Sequence, residues 1–191
     1  LLVTGSIAWL YYSDRLIEFP LGLFGIGIAT VILPALSKLH ATEKSEDFQS
    51  TLDWGVRFVL FLGFPAMAGL IVISPLIISV LFDHGAFSEG EVDHVKAVSM
   101  GVAAYSVGLV SFMLIKVLAP GFYARQDTKT PVKIGIITLV LNMVFNIMLA
   151  PFIGYLGLAL ATSLSASCNA FLLYRKLNQQ GVYQFSSFSL W

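Results

Sequence analysis

Five long apolar stretches, separated by short polar segments, dominate this chain. They cover residues 19–39, 54–82, 95–119, 132–150 and 156–174. Each stretch is close to the roughly 20 residues that a helix needs to cross a bilayer. Only 12% of the 191 residues are charged and the mean hydropathy is +0.84, which leaves too little polar surface to coat a soluble particle. The sequence therefore predicts an all-α, polytopic membrane helix bundle.

The organisation along the chain follows from these stretches. Residues 1–18 are predicted to form the end of a truncated helix that carries a charged cluster. Residues 19–178 form the bundle of five full spans, and residues 179–191 form a polar and aromatic tail. Pro65 and Pro75 lie inside the second span and are expected to kink it. The chain starts inside an apolar stretch, so it is expected to be an excerpt from a longer protein.

The cationic residues predict how the spans are oriented. One set of segments between the spans carries Lys38, Lys44, Arg57, Arg125, Lys129, Lys133, Arg175 and Lys176. The opposite set carries Lys96 alone, beside four acidic residues. Because cytoplasmic loops are enriched in Lys and Arg, the first set and the tail are predicted to be cytoplasmic. The loops around Asp83 and Pro151 are predicted to face outside.

No pattern in the sequence is typical of an enzyme. His40, His84 and His94 lack the spacing of metal ligands, and Cys168 is the single cysteine. There is no nucleophile elbow and no phosphate-binding glycine loop. The net charge of zero does not favour nucleic-acid binding. We therefore expect no catalytic residues, no metal site, no cofactor and no nucleic-acid partner.

Asp14, Arg15 and Glu18 form the most informative polar cluster. Their spacing lets all three share one helix face between two apolar stretches. A charge at membrane depth is expensive and commonly faces a water-filled cavity, and the planar guanidinium suits a phosphate. The alternative is an ion pair at the lipid headgroups that stabilises a helix end.

Other polar residues inside the spans are weaker candidates. Lys116 either lines a cavity or extends to the cytoplasmic surface. Asn142 and Asn146 lie one helical turn apart in the fourth span, and Thr162 lies in the fifth together with two serines. Such residues commonly make hydrogen bonds between helices. The alternative is an oxygen site for a monovalent cation.

Three segments carry a resemblance to a known family. They are residues 11–20 (YYSDRLIEFP) continuing to 33–37 (LPALS), residues 81–87 (LFDHGAF) and residues 119–131 (APGFYARQDTKTP). Together they resemble the MurJ/MviN family of lipid II flippases, in the multidrug/oligosaccharidyl-lipid/polysaccharide exporter superfamily. The third segment is long and distinctive. The resemblance extends to about residue 178.

The resemblance implies a MATE-like fold of fourteen transmembrane helices in two lobes around a cationic cavity. This chain would form part of the C-terminal lobe, from the end of helix seven to helix twelve. It implies translocation of the undecaprenyl-pyrophosphate-linked peptidoglycan precursor lipid II across the bacterial inner membrane. The other lobe and the last helices would come from the rest of the same protein, so the chain alone is not expected to transport.

The resemblance also implies roles for individual residues. Arg15 falls on the cavity arginine that meets the substrate pyrophosphate, with Asp14 and Glu18 as its acidic neighbours. Three positions depart from the family pattern. Ala8 stands where many members carry a serine, and His84 replaces a common arginine in the outer loop. Some members have an acid near Asn146 that helps to bind sodium, and the neutral Asn146 weakens the case for sodium coupling. Coupling to membrane potential, protons or sodium therefore stays open.

Two alternatives remain at this point. The first is another exporter of the same superfamily, for polysaccharide repeats or for drugs in exchange for cations. Drug antiporters commonly need a membrane carboxylate, and the only candidates, Asp14 and Glu18, lie beside Arg15. The second alternative is a membrane scaffold without transport activity, which would need neither Arg15 nor a cavity.

Overall fold

The computed structural model describes residues 5–82 and 94–183. The helices are α1 (Ser6–Pro20), a π-helical segment (Leu21–Ile26), α2 (Gly27–Ala41), α3 (Ser45–Phe82), α4 (His94–Tyr123), α5 (Lys129–Ile153) and α6 (Tyr155–Gln179). With α1 to α2 counted as one unit, five helices are long and apolar enough to cross a membrane. The described residues contain no strand, and the predicted all-α membrane bundle is confirmed. His84, the loop around Asp83 and the tail from residue 184 lie outside the described residues.

The first helix differs from its prediction. The sequence predicts that residues 1–18 end a separate truncated helix, but residues 6–41 form one helix of 36 residues. The π-helical segment begins directly after Pro20, and the N–H of Leu21 still bonds to the carbonyls of Ile17 and Glu18. Proline removes one backbone donor, and here the helix widens by one residue per turn instead of ending. The charged cluster therefore lies within a membrane-length helix.

Helix α4 is the centre of the bundle. It packs against α1, α2, α3 and α6, while α5 packs mainly against α6. In α4, half of the most apolar stretch is buried inside the bundle. In α5, only 6% of the corresponding stretch is buried. Small residues on α4, such as Gly101, Ala104 and Gly108, let its neighbours approach closely. Helix α5 therefore lies at the edge of the described bundle, with most of its apolar surface open.

Helices α4 and α6 approach each other closely at Gly108. A Cβ atom on this glycine would lie 2.7 Å from the Cα atom of Ser163. The Ser163 hydroxyl donates a hydrogen bond of 2.9 Å to the carbonyl of Ala104. Two further bonds of the same kind link α4 to its neighbours. Ser13 of α1 donates to the carbonyl of Val98, and the Tyr155 hydroxyl of α6 donates to the carbonyl of Ala97.

The segment between α4 and α5 explains the most distinctive motif of the sequence. Gln126 adopts a positive φ of 61°, which reverses the chain. The Asp127 carboxylate then accepts a 3.0 Å hydrogen bond from the Thr130 N–H at the start of α5. Hydrogen bonds from the side chain and backbone of Thr130 hold the pKa of Asp127 below its usual value. Asp127 thus satisfies a free donor of the first helical turn.

The ends of the helices fall into two groups, as the distribution of Lys and Arg predicts. At the cationic end, Arg125 donates to Gln180, and the Tyr183 hydroxyl donates to Asp53 over 2.9 Å. Burial and the Asp53 carboxylate raise the pKa of Tyr183. At the opposite end, the Trp9 indole N–H donates to His94 over 3.0 Å. Consecutive spans therefore run in alternating directions.

The contact at Gly108 generates the first prediction. We expect Gly108→Ala to push α4 and α6 apart, because its Cβ would meet backbone atoms rather than a flexible side-chain end. Overpacking of this kind costs about 1–3 kcal/mol of unfolding free energy. The measurement is the thermal unfolding temperature of the full-length protein in detergent. Gly135→Ala is the control, because a Cβ there meets nothing within 4 Å. Equal unfolding temperatures for the two variants would contradict the prediction.

Candidate functional site

Helix α1 buries one face and leaves the opposite face open. Its buried residues are Ser6, Trp9, Ser13, Ile17 and Pro20. They recur every three or four positions and so lie along one stripe, which packs against α4. Residues between these positions point the other way. The open face of α1 therefore carries the charged cluster and looks away from the described bundle.

Arg15 is held in place by two neighbours on the open face of α1. Its Nη1 lies 2.6 Å from the Glu18 Oε2, and its guanidinium carbon lies 5.0 Å from the centre of the Tyr11 ring. The Arg15 and Glu18 side chains are 57% and 50% exposed. This arrangement combines a charge-assisted hydrogen bond with a cation–π contact. The guanidinium is thus oriented while much of it stays accessible to a ligand.

Asp14 lies at the border between the open and buried faces of α1. It interacts electrostatically with Arg15 and Glu18 on its own helix and with the Tyr105 hydroxyl of α4. Two carboxylates thus accompany one guanidinium. The cluster carries a formal charge of about −1 when both acids are ionised. An incoming anion would therefore meet one cation and two competing carboxylates.

The depth of the cluster follows from its contacts with α4. Trp9 meets His94 at the start of α4, and Ser13 contacts the backbone of Val98 one turn further in. Arg15 is six residues after Trp9, which places it about 9 Å deeper along the helix axis. The cluster therefore lies inside the spanning region rather than at the end of a helix.

Lys116 lies on the other side of the π-helical segment. It is exposed on α4, and its Cγ would lie 3.7 Å from a Cβ on Gly25. Seven residues separate it from Tyr123 at the end of α4, a distance of about 10 Å. Lys116 is therefore nearer to the cationic end of the bundle than Arg15 is. The structure does not bring the two cations into direct contact.

The remaining candidates lie together between α5 and α6. Asn142 and Asn146 follow Thr138 at intervals of four residues, and the Thr138 carbonyl accepts a bond from Ser165 of α6. The Asn146 amide N–H donates to the Asn142 Oδ1 over 3.1 Å, whereas the buried Asn146 Oδ1 has no hydrogen-bond partner. The antiparallel register puts Thr162 at the level of Asn142. Its hydroxyl donates to the carbonyl of Leu158 on its own helix.

Two functional features were not identified from the sequence. Tyr11 is absent from the candidates drawn from the sequence, although its position four residues before Arg15 is a usable signal for a cation–π pair. Asn169 of α6 donates to the Thr138 hydroxyl over 3.0 Å and extends the polar interface between α5 and α6. Asn169 lies 31 residues from Thr138, so no local spacing could reveal this bond.

Comparisons with known proteins agree with this architecture. A family model for the lipid II flippase MurJ matches residues 1–190. The probable lipid II flippase MurJ of Vibrio cholerae is 59% identical over 190 residues, which are 100% of this chain and 36% of that protein. The protein of the same name in Haemophilus influenzae is 54% identical over 97% of this chain and 37% of its own length. The chain thus spans little more than a third of these relatives.

A solved structure gives the same result at the level of the fold. The lipid II flippase MurJ in an inward closed conformation superposes with a TM-score of 0.80 at 30% identity. The match covers 94% of this chain and 37% of that one. Together with the five membrane-length helices, these similarities make the chain a multi-pass protein of the bacterial inner membrane. The chain belongs to the MurJ family of lipid II flippases.

Proposed function

We propose that this chain is the C-terminal-lobe part of a lipid II flippase. The whole protein would move the undecaprenyl-pyrophosphate-linked precursor from the cytoplasmic to the outer leaflet by alternating access, as a transporter and not as an enzyme. The observation that carries the proposal is Arg15, an oriented and accessible guanidinium inside the spanning region. A cation at this depth is costly unless water or an anion compensates it. Glu18 supplies that anion in this structure, and a pyrophosphate head would take over this role in the substrate complex.

The chemistry of Arg15 suits a pyrophosphate. The planar guanidinium can donate two parallel hydrogen bonds to phosphate oxygens, and Tyr11 restricts its orientation in advance. Pre-orientation lowers the entropy lost on binding. The polyprenyl tail would stay in the lipid while the head occupies the space in front of the open face of α1.

Glu18 would make binding reversible. It already accepts a hydrogen bond from the Arg15 Nη1, so a substrate phosphate must share the guanidinium with Glu18 or displace it. The exchange of one anionic partner for another lowers the net affinity. A transporter needs such moderation, because a ligand that binds one state too tightly is not released. Asp14, beside the pair, would add to the repulsion of the phosphate.

The helix around Pro20 offers a place for the conformational change. The π-helical segment Leu21–Ile26 separates α1, which carries Arg15, from α2, which packs against α3. Breaks of this kind often lie at hinges and functional sites. We take this segment as the hinge of the first helix. Lys116, next to Gly25, would then be a second cation for the head on its way from the cytoplasmic side.

A weak cation site between α5 and α6 is the candidate for ion coupling. The buried Asn146 Oδ1 lacks a partner, and the oxygens of Asn142 and Thr162 lie at neighbouring levels. Neutral oxygens can coordinate a monovalent cation. Without a carboxylate they bind it weakly, so any sodium dependence of the natural protein should be small.

The first test concerns Arg15. We expect Arg15→Ala in the full-length protein to abolish growth rescue in bacteria depleted of their own lipid II flippase. The variant should still insert at normal levels, because the side chain is exposed and packs little of the bundle. Lipid II affinity should fall roughly 10- to 100-fold, the effect of losing charge-assisted hydrogen bonds. Growth and outward lipid II are scored together, with Lys38→Ala as the control at an exposed cation of α2.

The outcomes of the Arg15 test distinguish between the functional hypotheses. Rescue by the intact protein but not by Arg15→Ala supports the flippase and the role of Arg15. Rescue by both keeps the flippase and reduces Arg15 to a structural ion pair. Failure of the intact protein, at normal expression, would favour another exporter of the superfamily or a scaffold.

The second test concerns the exchange at Glu18. We expect Glu18→Gln to bind lipid II about two- to fivefold more tightly, which corresponds to the loss of one exposed ion pair. Translocation in reconstituted vesicles should become slower, since release is impeded. Glu46→Gln in the first turn of α3 removes the same charge elsewhere and serves as the control. Weaker binding by Glu18→Gln would show that Glu18 supports the substrate instead of competing with it.

The third test concerns the cation site. We expect Asn146→Asp to give a larger rise in thermal unfolding temperature on adding sodium than the natural protein shows. An added carboxylate strengthens binding of a hard cation. Potassium at equal ionic strength controls for screening, and Asn146→Leu should remove any sodium effect. Indistinguishable responses of the three proteins would refute the site.

A further inference from the structure

A second basic site lies between α5 and α6, at the cationic end of the bundle. A groove of about 420 Å³ is lined there by Lys133 from α5 and by Arg175 and Lys176 from α6. None of the described residues that line the groove is acidic. The groove is separate from the Arg15 cluster, which lies on α1 in the other half of the bundle.

The groove has a polar mouth and an apolar floor. Lys133 and Ile137 are four residues apart on one face of α5, and Leu172 and Arg175 are three apart on one face of α6. Ile137 lies about 6 Å further from the start of α5 than Lys133 does. The apolar side chains therefore point toward the membrane centre while the cations gather at its surface. A phospholipid has the same arrangement, with a charged headgroup at the membrane surface and apolar chains below it.

The cations of the groove are not neutralised by carboxylates. Three ion pairs between described residues, Arg15–Glu18, Lys44–Asp47 and Arg57–Asp53, lie outside the groove. Within residues 5–82 and 94–183, the polar partner of the Lys176 ammonium is the neutral amide of Gln179, over 3.4 Å. Asp127, just before α5, turns its carboxylate to the Thr130 N–H. Three positive charges thus remain available to an anion.

We propose that this groove binds an anionic phospholipid of the cytoplasmic leaflet. The phosphate lies among Lys133, Arg175 and Lys176, and an acyl chain lies along Ile137 and Leu172. Basic pockets between transmembrane helices on the cytoplasmic side suit anionic headgroups, and this leaflet is rich in them. The groove opens beside the open apolar surface of α5. Only 6% of the most apolar stretch of this helix is buried within the chain. A lipid can therefore enter sideways from the bilayer.

The test uses the full-length protein in a neutral detergent, titrated with phosphatidylglycerol or phosphatidylcholine. Bound lipids are counted by native mass spectrometry. We expect preferential binding of phosphatidylglycerol, and about a fivefold loss of its affinity for each cation removed. The triple variant Lys133→Gln/Arg175→Gln/Lys176→Gln should lose roughly 100-fold while its binding of phosphatidylcholine is unchanged. Arg175→Gln alone should lose about fivefold, and it perturbs one exposed side chain only.

The matched control is Lys38→Gln/Lys44→Gln/Lys129→Gln, which removes three cations at the same end but outside the groove. Full phosphatidylglycerol binding by this control, with loss in the groove variants, supports the site. Equal losses in both triples would overturn it in favour of general surface charge. Displacement of the lipid by inorganic phosphate would assign the groove to free phosphate instead. Displacement by lipid II that depends on the groove cations would assign it to the transport substrate.

Discussion

The helices next to α4 are held in place by hydroxyl side chains. These side chains donate hydrogen bonds to the backbone carbonyls of α4. Ser13, Tyr155 and Ser163 each donate to a carbonyl of α4 from a neighbouring helix. Lipid is as apolar as leucine, so burial of apolar surface contributes little to helix association in a membrane. Close packing and hydrogen bonds must therefore fix the register. The Ser13 bond also sets the rotation of α1, and with it the direction in which Arg15 points.

The spans and their alternation could be predicted from the sequence, because membrane thickness and the Lys and Arg distribution are local signals. The continuity of the first helix could not. Asp14, Arg15, Glu18 and Pro20 together look like a helix end. The helix continues because the stripe from Ser6 to Ile17 packs against α4, a contact between parts of the chain more than 80 residues apart.

The candidate site, like the fold, could be predicted only in part from the sequence. The Arg15–Glu18 pair follows from a spacing of three residues on a helix. The unpartnered oxygen of Asn146 is different, because it depends on which face of α5 is buried and how the amide is oriented. The bond between Tyr183 and Asp53 joins residues 130 positions apart and left no pattern to detect. The spacing of residues in the sequence reveals side-chain pairs within one helix. Contacts between helices depend on tertiary packing and leave no such pattern.

The Arg15 cluster and the groove between α5 and α6 use cations in opposite ways. Arg15 lies about 9 Å further along α1 than Trp9, within a helix long enough to cross a membrane, and Glu18 and Tyr11 offset its loss of hydration there. Those same partners keep its affinity for an anion moderate. Lys133 and Arg175 lie at the membrane surface, where water supports them without a carboxylate. They can hold an anion steadily. Position along the helices thus separates the proposed substrate site from the proposed phospholipid site.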